Sequence, residues 1–424
     1  MMKRRKLYLI VLLSLMPFAV FAQQNTLDSL INQAISISPK LKMLQSKYSA
    51  AENRINVNSN LPDPMLTLGL MNLPTNSFSF TQEPMTGKII GLSQAIPFPG
   101  KLGSMADVSE KGAGIVKQEI DDARNEIVKN VSQNYYELIF IRKAIDVTNE
   151  NLKLLNEIAK VVRTNYTVAK ASQQNLFKVE LEITNLNDKI DELKNKENSS
   201  TAMINAQLLR SQDVPVFTDS LPVIQYYKFS QKELDSLAVQ NRPFLTGIRL
   251  AKQKAELQEK LAKYDYLPNF NISVQYSQRD RIAKTNTPLA DFASFMVGIS
   301  LPLNYGGKVS SKVEETEAMQ DMYQEQYNLS LQMLNSNFGT AISKLSSLQN
   351  RIKLVEEAQL PQARQTYSAA LSSYQVGQID FINVIDSQNK LYQVETNLYR
   401  LKTNYLKEIE ELKFLTGTSL PAGR

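Results

Sequence analysis

The sequence predicts a mainly α chain, built of long antiparallel coiled-coil hairpins. With them come four short β-strands, too few to close a membrane β-barrel alone. Three observations predict this. The chain repeats one plan at an offset of 204–208 residues, each copy contains a pair of period-2 segments, and each copy ends in a long stretch with a heptad seam.

The offset is read at four places. Pro39 and Pro243 lie 204 apart in matching helix-like contexts, and Leu61-Pro62-Asp63-Pro64 precedes Leu267-Pro268-Asn269-Phe270 by 206. Gly100-Lys101 and Gly307-Lys308 are 207 apart, and Tyr166-Thr167-Val168-Ala169 matches Tyr374-Gln375-Val376-Gly377 at 208. Four matches in order imply duplication of a whole unit. The expected organisation is a leader over 1–22 and a first repeat over 23–214, with a β-hairpin near 62–98 and a helical hairpin near 105–210. A second repeat over 215–424 follows, with a β-hairpin near 268–304 and a helical hairpin near 308–416. Segments near 23–60 and 211–266 are expected to form a collar.

The strands are read from alternation. Phe270, Ile272, Val274 and Tyr276 alternate with Asn271, Ser273, Gln275 and Ser277, and Phe295, Val297, Ile299 and Leu301 alternate with Ser294, Met296, Gly298 and Ser300. In the first half Leu66, Leu68 and Leu70, then Ile90, Leu92 and Ile96, follow the same rule. Each run can supply the ~9–11 residues of a tilted barrel strand. A closed bacterial barrel needs about 8 strands or more, so several chains must contribute.

The helices are read from seams. No Gly or Pro occurs between Ile115 and Val214, leaving only a turn near Ala169 to Ser172. The return limb places Leu176, Val179, Ile183, Leu186, Ile190 and Leu193 at spacings of three and four. The same seam returns as Val384, Ser387, Leu391, Val394, Leu398 and Leu401, continuing to Tyr405. The outward limb is expected to follow Leu138, Ile145, Leu152, Ala159 and Tyr166. A helix from about Met105 to Val168 would extend roughly 90–100 Å, several times a bilayer core.

Residues 1–22 read as a secretory signal: Lys3, Arg4, Arg5 and Lys6, an apolar run from Leu7, and Val20-Phe21-Ala22 for cleavage. Pro17 and the short run argue against a membrane anchor. Removing the four bases lowers the net charge from +6 to +2, which gives no argument for nucleic acid. Mean hydropathy is −0.28, and no apolar stretch of about 18 residues follows the signal. The absence of Cys and His removes disulfides, most nucleophile–base pairs and most zinc sites. Acid pairs such as Asp121-Asp122 and Glu314-Glu315 lie in helix-forming stretches, where a solvated face is the ordinary explanation. No phosphate loop or metal motif appears, so neither an enzyme nor a cofactor is expected. Met319 and Met322 share a helical face, but Met is mostly a packing residue, and no metal ligand is assigned. A coiled-coil structural protein of the outer membrane is the remaining rival, and a pump adaptor would show one hairpin instead of two.

Three stretches resemble the TolC-like outer-membrane efflux proteins: Leu61-Pro62-Asp63-Pro64, then Gln94-Ala95-Ile96-Pro97-Phe98-Pro99-Gly100-Lys101, and the turn Tyr374-Gln375-Val376-Gly377 with its following helix. Of these, the stretch from Gln94 to Lys101 is most similar to the heavy-metal branch of CusC and CzcC type. The resemblance covers essentially all of the chain after the signal. It implies a homotrimer in the outer membrane with a twelve-strand barrel above a long helical barrel reaching into the periplasm. It further implies a periplasmic adaptor and an inner-membrane pump, favouring the proton-driven resistance-nodulation-division (RND) type, and makes the chain an exit duct. The likeness to the heavy-metal branch implies export of heavy-metal cations, with multidrug, small-molecule or type I export as the alternative. By the same resemblance the hairpin tips, Tyr166 to Ala171 and Tyr374 to Ile379, meet the adaptor through Tyr166, Val168, Ala169, Tyr374, Val376 and Gly377. Gly377 supplies the turn, and Tyr374 and Val376 are expected to pack across it. Some members carry an Arg two residues after that Gly and two inward Asp further on. Here those positions hold Ile379, Asn383 and Asp386, so only Asp386 is carried over as a constriction carboxylate, with Asn383 beside it.

Overall fold

The structure is a computed structural model and describes residues 27–420; the expected signal over 1–22 lies outside the described residues. In chain order the elements are α1 (Leu27–Ile37), α2 (Pro39–Ser59), β1 (Met65–Met71), β2 (Gly87–Ile96), α3 (Lys101–Thr167) and α4 (Gln173–Gln207). Then come α5 (Gln231–Asn241), α6 (Pro243–Lys263), β3 (Asn269–Gln278), β4 (Phe292–Ser300), α7 (Lys308–Leu354), α8 (Leu360–Gln375) and α9 (Phe381–Thr416). The mainly α class with four strands is what the sequence predicts.

Local chemistry sets the starts. The Ser38 hydroxyl accepts the Leu41 N–H at 3.3 Å and Pro39 occupies the first turn of α2. Ser230 and Glu233 form a reciprocal capping box on α5. α9 ends at Gly417 with φ +73°, where a Cβ would stand 2.6 Å from Arg242 Cα, so the start of α6 is packed directly on that turn.

The four strands form one antiparallel sheet in the order β1-β2-β3-β4. Register places Leu66 opposite Leu92, Leu68 opposite Ile90, Leu92 opposite Val274, and Val274 opposite Phe295. The alternating apolar residues of all four strands therefore share one face. That face has no covering layer: Leu68 is 70% exposed and Phe295 67%. The other face carries Thr67, Ser93, Ser273, Gln275 and Ser294. Among the described residues, one edge of β1 and one edge of β4 have no partner.

β1 has seven residues, short of the ~9 expected of a barrel strand. Pro62 and Pro64 remove amide donors at its start, and Asn72, at φ +53°, turns the chain out at its end.

Each strand continues into one helix in the same lateral order. α2 leads into β1, β2 into α3, α6 into β3, and β4 into α7. The helices pack side by side as α2-α3-α6-α7. Lys40 and Lys47 of α2 pair with Glu126 and Glu119 of α3 at 2.5 and 2.6 Å, Lys111 reaches Gln253 of α6 at 2.9 Å, and Lys252 reaches Gln324 of α7 at 2.9 Å. Farther from the sheet the order becomes α4-α3-α9-α8. Arg142 pairs with Glu197 at 2.7 Å, Arg400 with Glu137 at 2.9 Å, and Arg364 with Glu395 at 2.9 Å. Asp265, just before β3, accepts from Lys101 at 2.7 Å and Lys312 at 2.6 Å, so one carboxylate ties the sheet base to the starts of both long helices. Burial pushes its pKa up, but the two lysines outweigh burial and hold it below the usual range.

The return seams match the expectation: Val179, Leu186, Ile190 and Leu193 are buried on α4, and Val384 to Tyr405 on α9. The outward seam holds in part: Leu138 is buried, and Ile145, Leu152 and Ala159 pack half-buried against the core. The buried positions toward the distal end of α3 are instead Val147, Thr148, Asn151, Leu155, Ile158 and Val162, and Tyr166 is exposed. α3 packs on both α4 and α9, so two faces are buried and a single sevenfold rhythm no longer describes it. The second outward limb is also interrupted. Val355–Gln359 widens into a π-helical turn just before Pro361, whose missing N–H would break an α-helical ladder at that point. Between α4 and α5 residues 208–230 run without regular structure and are pinned to α3 and α9: the Tyr135 hydroxyl accepts the Asp219 N–H at 2.8 Å and the Tyr405 hydroxyl the Tyr227 N–H at 2.9 Å.

Candidate functional site

The two hairpin tips are built by the same bonds. In the first, Ala169 N–H donates to Tyr166 O at 3.0 Å and Lys170 N–H to Asn165 O at 2.8 Å. In the second, Gly377 N–H donates to Tyr374 O at 3.0 Å and Gln378 N–H to Ser373 O at 2.9 Å. This pattern closes a helix C-terminus only if one residue enters the left-handed region. That residue is Ala169 at φ +53° and Gly377 at φ +75°. After each turn a new helix opens, at Gln173 behind the Ser172 cap and at Phe381 behind Asp380.

The tips share one apolar core. Leu155, Ile158, Val162, Val179 and Leu186 of the first hairpin pack with Tyr374, Phe381, Val384 and Ile385 of the second. The Tyr374 ring lies 5.4 Å from the Phe381 ring, and its buried hydroxyl has no hydrogen-bond partner among the described residues. Val376 does not join this core, contrary to the expectation that it packs across the tip. It is 70% exposed because the left-handed Gly377 turns the chain away immediately after it. Val168 and Tyr166 are exposed as well.

Asn383 and Asp386 lie one helix turn beyond the tip of α9, both exposed and on the side away from that core. Spaced i, i+3, they share a face. Asp386 forms no ion pair among the described residues, so its charge is free to act on its surroundings.

One layer farther from the tips lies a polar set that sequence reasoning missed. Gln388, fully buried on α9, donates to Asn151 of α3, and the Thr148 and Tyr392 hydroxyls meet at 3.1 Å. Asn151 Nδ2 and Gln388 Oε1 remain without partners. The available signal was the alternative spacing Val384-Gln388-Leu391, which is also a seam. Farther up, Glu137 accepts from Arg400 at 2.9 Å and from Lys407. Burial raises its pKa, but the Lys407 and Arg400 contacts outweigh that and leave it lowered.

Among the described residues no group of three or more Asp or Glu is arranged to hold a metal ion, and no helix is long and apolar enough to cross a membrane. Met319 and Met322 are both exposed on α7. What the arrangement offers is a long layer of helices, an exposed apolar sheet face, and a charged, solvent-accessible tip.

Comparison with known proteins gives these features a family. The model of the family described as "Outer membrane efflux protein" matches residues 30–190 and 234–418. The cobalt-zinc-cadmium resistance protein CzcC of Cupriavidus metallidurans is 18% identical over 302 residues, covering 70% of this chain and 69% of its own. The outer membrane protein TolC of Vibrio cholerae is 21% identical over 440 residues, 95% of each chain. The crystal structure of the outer membrane protein VceC from Vibrio cholerae superposes with a TM-score of 0.78 at 16% identity, covering 93% of this chain and 97% of that one. The exposed apolar sheet and the long helical hairpins are thus the two parts of an outer-membrane channel with no catalytic role, and the chain belongs to the outer membrane efflux protein family.

Proposed function

We propose that three copies of this chain close edge to edge into the exit duct of a tripartite efflux system, and that the duct passes heavy-metal cations. One observation carries the closure: every strand column continues into a helix column, and the layer has the same two open sides along its whole length. β4, α7 and α8 line one side, and β1, α2 and α4 the other. Open strand edges in lipid leave backbone groups unpaired, which a ring of twelve strands removes, and the exposed apolar face then becomes its lipid-facing band. The α4 side also exposes Phe177 and Leu181 near the tip, level with the small residues Ala369 and Ser372 of α8. The recurrence of the plan at 204–208 residues supports one duplicated unit per chain.

In this reading the tips, with Tyr166, Val168, Ala169, Tyr374, Val376 and Gly377, meet a periplasmic adaptor. An inner-membrane pump, of the RND type, supplies the energy, since the chain carries no nucleotide motif. Three Asp386 carboxylates beside Asn383 narrow the entrance and favour cations. Cation preference of the purified channel in bilayers tests the ring: Asp386→Ala lowers it, and unchanged selectivity removes the ring from the account.

The metal reading rests on the Pro97-Phe98-Pro99-Gly100-Lys101 stretch and the CzcC likeness. Drug or type I export is the rival reading, favoured by a 20% likeness to the toxin and drug export protein A of Aggregatibacter actinomycetemcomitans. Growth of a deletion strain, with and without the gene restored, decides between them. Restorable sensitivity to cobalt, zinc, cadmium, copper or silver alone supports metal export. Sensitivity to antibiotics and bile salts alone overturns it.

A further inference from the structure

We propose that neighbouring copies recognise one another through a charge-coded helical seam, in which α7 of one protomer packs on α2 of the next with Glu325 level with Lys42 and Glu314 level with Arg54. The inference rests on the closed-ring reading and deepens it by naming the partner surface and its register.

The two helices are the unpartnered sides of the upper layer, and their outer faces differ in charge. α7 turns Val309 and Thr316 inward toward α6, leaving Glu314, Ala318, Asp321, Glu325 and Leu329 exposed on the opposite side. No base occurs from Val313 to Ser343, so this face is uniformly acidic. None of Glu314, Asp321 and Glu325 is in an ion pair among the described residues; Glu325 accepts only the Asn328 amide, at 3.3 Å.

α2 is the complement. Of its four bases, Lys40 and Lys47 are held by Glu126 and Glu119 of α3, while Lys42 and Arg54 are exposed and have no carboxylate partner among the described residues. Between them run exposed Met43, Ala50 and Val57 at heptad spacing, with Val57 73% exposed. The one acid, Glu52, bonds Tyr48 and projects from a different side of the helix than Arg54. An apolar stripe flanked by unpaired charge is therefore present on both edges, with opposite sign.

The register comes from inside the chain. α3 and α6 already pack as α7 and the next α2 would, with Gln118 facing Gly247 and Lys111 bonded to Gln253 at 2.9 Å. The repeat offset of 207 carries Gln118 onto Glu325, and offsets of 204–206 carry Gly247 back onto residues 41–43, centred on Lys42. The same transposition sets Ala318 opposite residues 47–49, and one turn nearer the sheet Glu314 comes level with Arg54. Met322 then lies beside Met43, and Ala318 comes level with Ser49. Because the two edges differ, the contact is head-to-tail and selects a closed ring over a two-fold dimer.

The absence of cysteine makes the test clean. The full chain carrying Lys42→Cys and Glu325→Cys is oxidised in outer membranes and resolved on non-reducing gels beside native gels of the same sample. Covalent dimers and trimers are expected. The control pair, Arg54→Cys with Glu325→Cys, displaced by about 18 Å along the helix, stays monomeric on the denaturing gel. A charge reversal, Glu325→Lys, lowers native trimer at least threefold, and adding Lys42→Glu restores it. A native trimer without in-register cross-linking, or with equal cross-linking of the control, overturns the seam and leaves the ring intact. A native monomer for the unaltered chain overturns both.

Discussion

The left-handed residue at each hairpin tip gives a prediction whose size follows from the structure. Gly377 sits at φ +75°, and a Cβ built there meets nothing within 4 Å. Gly377→Ala therefore carries only the backbone cost of an L residue in this region, about 1–2 kcal/mol, partly offset by about 0.4–1 kcal/mol from a stiffer unfolded chain. The net cost is about 1 kcal/mol, or roughly fivefold faster local opening. Ala169 holds the same position in the first tip at φ +53°, so Ala169→Gly should move in the opposite direction by a similar amount. Hydrogen exchange of the Gln378 and Lys170 amides, which bond Ser373 and Asn165 at 2.9 and 2.8 Å, reads each tip separately. Protection should fall at Gln378 in the first variant and rise at Lys170 in the other. Changes of the same sign in both would refute the argument that backbone conformation, and not side-chain packing, sets tip stability.

Three further outcomes follow from other parts of the molecule. Glu137→Gln should cost about 2 kcal/mol in denaturant unfolding, because Arg400 and Lys407 lose a shared carboxylate. Its lowered pKa means that its contribution is complete above about pH 4.3 and lost as pH falls through the folded value, so the variant should show a shallower acid-side loss of stability. Gln388→Leu alone should cost about 1–3 kcal/mol by stranding Asn151, and adding Asn151→Leu should recover part of that loss in a double-mutant cycle. Leu68→Lys on the apolar sheet face should cost about 2–4 kcal/mol in folding into lipid vesicles, while Ser273→Lys on the other face should cost much less.

Much of this architecture is legible in the sequence where one physical cause dominates. The strands were readable because alternating apolar residues line one face, and the α4 and α9 seams because residues at heptad spacing run along each helix, although α9 also buries Ile385, Gln388 and Thr403. In the distal half of α3 the polar Thr148 and Asn151 are buried while the expected Ile145 and Leu152 are only half-buried, because Tyr392 and Gln388 of α9 supply hydrogen-bond partners that a sevenfold rhythm does not show. The π-helical turn at Val355–Gln359 has only Pro361 as a sequence marker, and a proline alone does not distinguish a kink from a helix end. At the tips the turn itself was legible from Tyr374-Gln375-Val376-Gly377, but the exposure of Val376 depends on the direction the chain takes after Gly377. The Asn151–Gln388 pair was hidden because a buried polar residue in a seam looks like an ordinary solvated one until its partner, 237 residues away, is known.

The central claim is that a ring of chains, and not a single chain, makes the channel. Native mass measurement of the detergent-extracted protein, followed by conductance of that same species in planar bilayers, tests it most directly. The account predicts a three-chain particle with stable, cation-favouring conductance. A single-chain particle, or a three-chain particle that never conducts, would contradict it.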